Sequence, residues 1–178
     1  LKAVSINANY KLSSTGFTSY WDNTNTYFDS INGVVAFNAN VNKAVLFNTK
    51  VTRIELSNNV KLIDDYAFMT DPWAGTSELT EISIPSSLTS IGAYAFYGCK
   101  NLSNVTLPET LESIAVYMFY ECESLSNVTL SEGLESIGDS AFAGCESLSN
   151  VTLSEGLESI GDSAFAGCNS INDVTLQG

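Results

Sequence analysis

Apolar and polar residues alternate along this chain in short bursts that recur at a fixed interval. Within residues 125–147, Leu125, Val128 and Leu130 are followed by Leu134, Ile137, Ala141, Phe142 and Cys145. Val128 and Leu130 alternate with Asn127 and Thr129, as a strand with one buried face requires. Ser131-Glu132-Gly133 reads as a turn, and Gly138 permits a second one. Asp139 is placed to cap a single helical turn through Ser140, Ala141, Phe142 and Ala143, closed by Gly144. The pattern returns every 23 residues: Leu79, Leu102, Leu125, Leu148 and Ile171 open successive copies, and Cys99, Cys122, Cys145 and Cys168 sit near their ends. A fixed period of this length predicts a solenoid, in which each unit buries its apolar face against its neighbours. The expected fold is mostly β, a parallel sheet of short strands with single-turn helical segments.

The register of the copies defines internal columns. Ile82, Val105, Val128, Val151 and Val174 share one, Ile91, Ile114, Ile137 and Ile160 another, and Phe96, Phe119, Phe142 and Phe165 a third. The Phe column reads as core. A degenerate copy at 51–78 places Val51, Ile54, Leu56, Val60, Ile63, Ala67 and Phe68 on the same template, with a loop of about five extra residues within Met69–Glu78. Repeats are therefore expected at 51–78, 79–101, 102–124, 125–147 and 148–170, with a partial copy at 171–178. Residues 1–50 read as a degenerate N-terminal repeat and cap. Leu1, Val4 and Ile6 fit the strand motif, whereas residues 7–50 leave the period. Val34–Phe37 and Ala44–Phe47 are expected to form a β-hairpin. The chain starts without Met and ends on a strand-like stretch, so it reads as a piece of a longer protein.

Charge narrows the partners. Net charge is −13, and all seven basic residues lie at or before Lys100. Twelve acidic residues and no basic one follow. Nucleic acid is thereby disfavoured, because phosphate needs Lys and Arg. No apolar run reaches the roughly 18 residues of a membrane span, so membrane insertion is not expected. Four cysteines in one solenoid column carry parallel side-chain vectors that do not meet easily, so four buried free thiols are expected rather than disulfides.

Catalysis finds little support. The chain has no His and no phosphate-binding Gly-rich loop. Its carboxylate pairs recur in every copy (Glu109/Glu112, Glu132/Glu135, Glu155/Glu158), as a surface ladder does and a catalytic site does not. No cofactor is expected; calcium between stacked carboxylates such as Asp139 and Asp162 is the one candidate. The solvent face of the strands carries Asn104, Asn127 and Asn150 in one column and Thr106, Thr129 and Thr152 in the next, either a hydrated sheet or a platform for a partner. The same residues form three N-glycosylation sequons; glycans about 4.8 Å apart would collide, so they are expected to be unmodified. Trp73 in the inserted loop and Tyr20, Trp21 and Tyr27 near the N-terminus are candidate aromatic contacts, or else cap the first coil.

The string L-x-x-I-x-I-P-x-x-L-x-x-I-G-x-Y-A-F-x-G-C at 79–99 resembles the BspA-like class of leucine-rich repeats, and INGVVAF at 31–37 resembles the hairpin that interrupts some of its arrays. The resemblance covers 51–178 well and 1–50 poorly. Departures are mild: Ala115 and Val116 at the turn, Met118 before Phe119, Glu121 before Cys122, and Ser131 and Ser154 where Pro85 and Pro108 stand. The resemblance implies a secreted or cell-surface protein, without catalysis, that acts in adhesion to host matrix, cells or other microbes. The expected partner is a protein or carbohydrate, bound by a monomer; the alternative is a structural spacer that displays neighbouring domains.

Overall fold

In the computed structural model every strand pairs parallel to its equivalent one coil away. The structure describes residues 50–70 and 77–176, together with the strand segments 4–6, 26–27, 32–37 and 44–45. In chain order the strands are β1 (Val4–Ile6), β2 (Thr26–Tyr27), β3 (Asn32–Phe37), β4 (Ala44–Val45), β5 (Lys50–Leu56), β6 (Leu62–Ile63), β7 (Glu81–Ser83) and β8 (Ser90–Ile91). They continue as β9 (Asn104–Thr106), β10 (Ser113–Ile114), β11 (Asn127–Thr129), β12 (Ser136–Ile137), β13 (Asn150–Leu153), β14 (Ser159–Ile160) and β15 (Asp173–Leu176). Odd-numbered strands build one eight-stranded sheet in the order β1-β3-β5-β7-β9-β11-β13-β15. Even-numbered ones form short ladders, β2-β4, β6-β8 and β10-β12-β14.

This topology corrects the expected hairpin. β3 pairs parallel with β1 and β5, whereas β4 pairs parallel with β2. β3 and β4 therefore belong to different ladders, each paired with strands that run the same way, and residues 46–47 of the expected second arm lie outside the described residues. The strands of this region join the sheets at irregular spacing: Val4 faces Val35 and Val35 faces Ile54, offsets of 31 and 19 residues. An irregular coil length hides the period without breaking the stack.

The expected single-turn helices are absent among the described residues, and the reason lies in the backbone. A helix directs all its amides inward along its own axis. Here alternate amides leave the coil. Ala141, Ala143 and Cys145 donate three residues back, to Gly138, Ser140 and Phe142 (3.1–3.3 Å). Ser140, Phe142 and Gly144 donate instead to the carbonyls of Asp162, Ala164 and Ala166 on the next coil (2.7–2.9 Å). The alternation requires a left-handed residue after the turn, and Tyr66, Tyr94, Tyr117, Ser140 and Ser163 occupy that position with φ of 50–60°. Asp139 caps no helix of its own. Its Oδ1 accepts from the Asp162 amide at 2.8 Å, and Asp65 does the same for Ala93 at 2.7 Å. The coils approach so closely here that a Cβ at Gly161 would overlap the Asp139 nitrogen.

The columns are continuous. Phe68, Phe96, Phe119, Phe142 and Phe165 stack with centroids 5.3–5.6 Å apart. All four cysteines are free, as expected. Each thiol donates to the carbonyl of the preceding coil's Phe, Cys99 to Phe68, Cys122 to Phe96, Cys145 to Phe119 and Cys168 to Phe142, at 3.1–3.3 Å. Cys is thus small enough for the core and still supplies the donor that a buried carbonyl needs. Another column solves the same problem by substitution. Pro85 and Pro108 carry no side-chain donor, and the Leu88 carbonyl is served by the Thr110 hydroxyl. Where Ser131 and Ser154 replace proline, they are buried and donate to Leu111 and Leu134 at 2.9 and 2.8 Å.

The isoleucine column is enclosed: Ile114 and Ile137 are 1% and 2% exposed. Ile137→Ala should cost about 2–5 kcal/mol in urea-melt midpoints, because truncation of an enclosed side chain leaves a cavity. A loss below about 1 kcal/mol would mean that the neighbouring coils close over the gap.

Burial also raises the thiols, Cys99 to about 12, with Cys122 and Cys145 likewise well above the ordinary value. Burial raises Cys168 as well, although this thiol is only half-buried. A thiol-specific chromogenic reagent at pH 8 should therefore label Cys168 slowly in the native protein and the other three only after denaturation, because the thiolate is the reactive species.

Candidate functional site

Parallel in-register pairing turns each outward position of β7–β15 into a row. Asn104, Asn127 and Asn150 align between Glu81 and Asp173, and Thr106 faces Thr129 as Thr152 faces Thr175. All of these side chains are exposed. Asn127 donates through Nδ2 to Asn104 Oδ1 at 3.3 Å, and Asn104, Asn127 and Asn150 each also donate to the preceding serine hydroxyl at 3.1–3.3 Å. The amides are thereby held along the sheet and leave the threonine hydroxyls pointing to solvent.

A groove of about 840 Å³ runs across this face, lined by Thr106, Asn127, Thr129, Asn150 and Thr152, with Glu109 and Glu132 at its rim. It exists because the sheet loosens there. β11 and β13 share one paired position, Asn127 with Asn150. Val128 and Leu130 are half-buried, whereas Val105, Leu107, Val151 and Leu153 at the same positions of other coils are buried. The groove therefore has a strip of apolar floor between polar rows. Five of the six strand-face residues singled out from sequence meet in it, and Asn104 adjoins it through Asn127. Trp73, Tyr20 and Trp21 lie outside the described residues, as does the side chain of Tyr27, whose backbone belongs to β2. Among the described residues no three His, Cys, Asp or Glu side chains gather as a metal site would require.

A second surface went unread in the sequence. Tyr94 and Tyr117 stack at 4.9 Å, with Tyr66 stacked on Tyr94 at 4.8 Å, and Tyr97 and Tyr120 stack at 5.0 Å. Tyr117 and Tyr120 also meet each other at 5.4 Å. The phenols lie on the turn segment, outside the core. Burial and the nearby Glu121 carboxylate raise Tyr97, so its hydroxyl stays neutral at physiological pH. The signal was present as Y-x-x-Y in consecutive copies, but the conspicuous phenylalanine two residues after each first Tyr drew the reading inward. Beside it, Glu121 adopts a φ of 55° where Gly98, Gly144 and Gly167 stand in other coils. A left-handed L-residue costs about 1 kcal/mol, so this copy carries a carboxylate at a site the fold would rather give to glycine.

The family model for the BspA type leucine rich repeat region matches six copies across residues 5–72 and 72–178. The chain belongs to the BspA-type leucine-rich repeat family. The match takes in residues 5–50, where the sequence period fails and the strands nonetheless stack. Among solved structures, a leucine-rich repeat protein from Bacteroides ovatus is 33% identical, with a TM-score of 0.64 over 70% of this chain and 33% of that one. A leucine-rich repeat protein of T. pallidum is 31% identical, with a TM-score of 0.64 over 69% of this chain and 57% of that one. A leucine rich cell surface protein from Faecalibacterium prausnitzii is 30% identical, with a TM-score of 0.65 over 81% of this chain and 38% of that one. This chain thus spans between a third and somewhat over half of their lengths. No curated protein matches the chain. BspA-type repeats are typically protein-interaction or surface modules, on a scaffold that is typically non-enzymatic. No helix among the described residues is long and apolar enough to cross a membrane.

Proposed function

We propose that this segment is a non-enzymatic recognition or adhesion module displayed outside the cell, which binds a protein or glycan as a monomer along its strand face. The groove over β9, β11 and β13 carries this reading: rows of exposed hydroxyls and amides flank a strip of half-buried Val128 and Leu130. Such a surface offers repeated hydrogen bonds beside apolar contact, which suits an extended polymer or a flat protein face. The surface location of the Faecalibacterium protein supports display outside the cell. The uniformity of the Asn and Thr rows favours the rival reading, a spacer without a ligand, since identical rows discriminate poorly between partners.

A screen against matrix proteins and glycans separates the two readings. A bound partner should lose about tenfold in affinity to the double variant Asn127→Ala, Thr129→Ala, with an unchanged melting temperature because both side chains are exposed. Trp73→Ala reports in the same assay whether the inserted loop contributes. Binding that ignores the strand-face substitutions removes this face from the reading, and the absence of any ligand supports the spacer. The module is read as needing no cofactor: millimolar calcium should leave the melting temperature unshifted, since one oxygen of Asp139 is already held by the Asp162 amide.

A further inference from the structure

The tyrosine surface has a control within the same chain. The column of Tyr94 and Tyr117 continues as Ser140 and Ser163, and that of Tyr97 and Tyr120 as Ala143 and Ala166. Backbone conformation does not change with the side chain: φ is 58° and 55° at the tyrosines and 50° and 57° at the serines. The coil is therefore built equally well without the rings, and the fold does not require them. The first column begins a coil earlier with Tyr66, and the two columns run side by side on two adjacent coils, which makes a local patch out of an otherwise uniform array.

The patch ends in a defined way. Tyr117 and Tyr120 each have a ring on one side and, one coil on, only Ser140 and Ala143 on the other. A groove of about 520 Å³ opens there, bordered by Tyr120, Glu121, Glu123 and Glu146, with Gly144 in its lining. Its charge is already sampled by one cation of the chain, since Lys100 Nζ sits 2.6 Å from Glu123 Oε1 at the groove wall. Among the described residues, neither Glu121 nor Glu146 has an ion-pair partner. A guanidinium is the group that uses both features at once. Its plane stacks on a tyrosine face, and its forked donors match a carboxylate.

We infer that the tyrosine patch and the adjoining acidic groove form a second docking surface, separate from the strand face, for a basic polypeptide segment that inserts arginine beside Tyr120. Charge complementarity selects this occupant. The chain has no basic residue after Lys100, and the groove sets three carboxylates against that single lysine at the exposed end of the aromatic stack. The departure at Glu121 acquires a purpose: a strained carboxylate is kept where three other coils use glycine. This inference does not depend on the strand-face reading.

The test uses a fluorescently labelled arginine-glycine repeat peptide, a lysine-glycine peptide of equal charge, and soluble oligosaccharides as probes. The variants Tyr117→Ser with Tyr120→Ala install residues that coils 125–147 and 148–170 already carry at these positions, so the fold is retained, as a melting curve verifies. The expected result is binding of the arginine peptide, weakened roughly tenfold by the tyrosine pair and to a similar degree by Glu121→Gly, which should at the same time raise the melting temperature. Glu123→Gln with Glu146→Gln tests the groove without touching the rings and should weaken binding comparably. Lysine peptide should bind several-fold more weakly than arginine peptide. Equal affinity for the two peptides, or arginine binding indifferent to the tyrosine variants, reduces the effect to net charge and overturns the assignment. Oligosaccharide binding that depends on the tyrosines, with no peptide binding, overturns it in favour of a glycan site.

Discussion

Among the described residues, no coil satisfies its own backbone. Along the turn segment every second amide is handed to the next coil, while the amides of Glu135, Gly138, Glu158 and Gly161 reach back to the preceding one. A buried peptide group without a partner costs as much as a lost hydrogen bond. Each coil thus completes another, and stability belongs to the interfaces between coils. Identical residues then stack by necessity, and what a column tolerates is decided by what it must donate or enclose. Cysteine thiols serve the Phe carbonyls, Thr110 serves a Leu carbonyl beside a proline that has nothing to give, and Ser131 and Ser154 serve Leu carbonyls where they stand in for proline.

The period makes the core legible in the sequence. The Ile91–Ile160 and Phe96–Phe165 columns, the free thiols and the rows at Asn104–Asn150 and Thr106–Thr152 all follow from spacing alone, because parallel pairing maps sequence period directly onto contact. What spacing could not convey was hydrogen-bond direction. Asp139 followed by small residues has the local chemistry of a helix start, yet its carboxylate serves an amide 23 residues away. Likewise Val34–Phe37 and Ala44–Val45 look like hairpin arms because they are close in sequence, whereas each pairs with a distant strand running the same way. Local propensity lost in both cases to a non-local partner.

The surfaces divide on similar lines. Repetition makes the strand face visible in sequence and also makes it uniform. The tyrosines and Glu121 were harder to see because they are exceptions to the repeat, and exceptions read as tolerated noise until their positions are compared across coils. Ser140, Ala143 and Gly144 show what the scaffold needs at those places. Anything beyond that need is free to vary with a partner.

The hydrogen bonds that join the coils run along the axis of the stack. Tension applied between the two ends of such a rod loads them one row at a time instead of shearing many together. Coils are then expected to peel off in sequence, each paying out on the order of 75 Å of extended chain. The backbone pattern that holds the fold together therefore also sets the order in which it would yield under load.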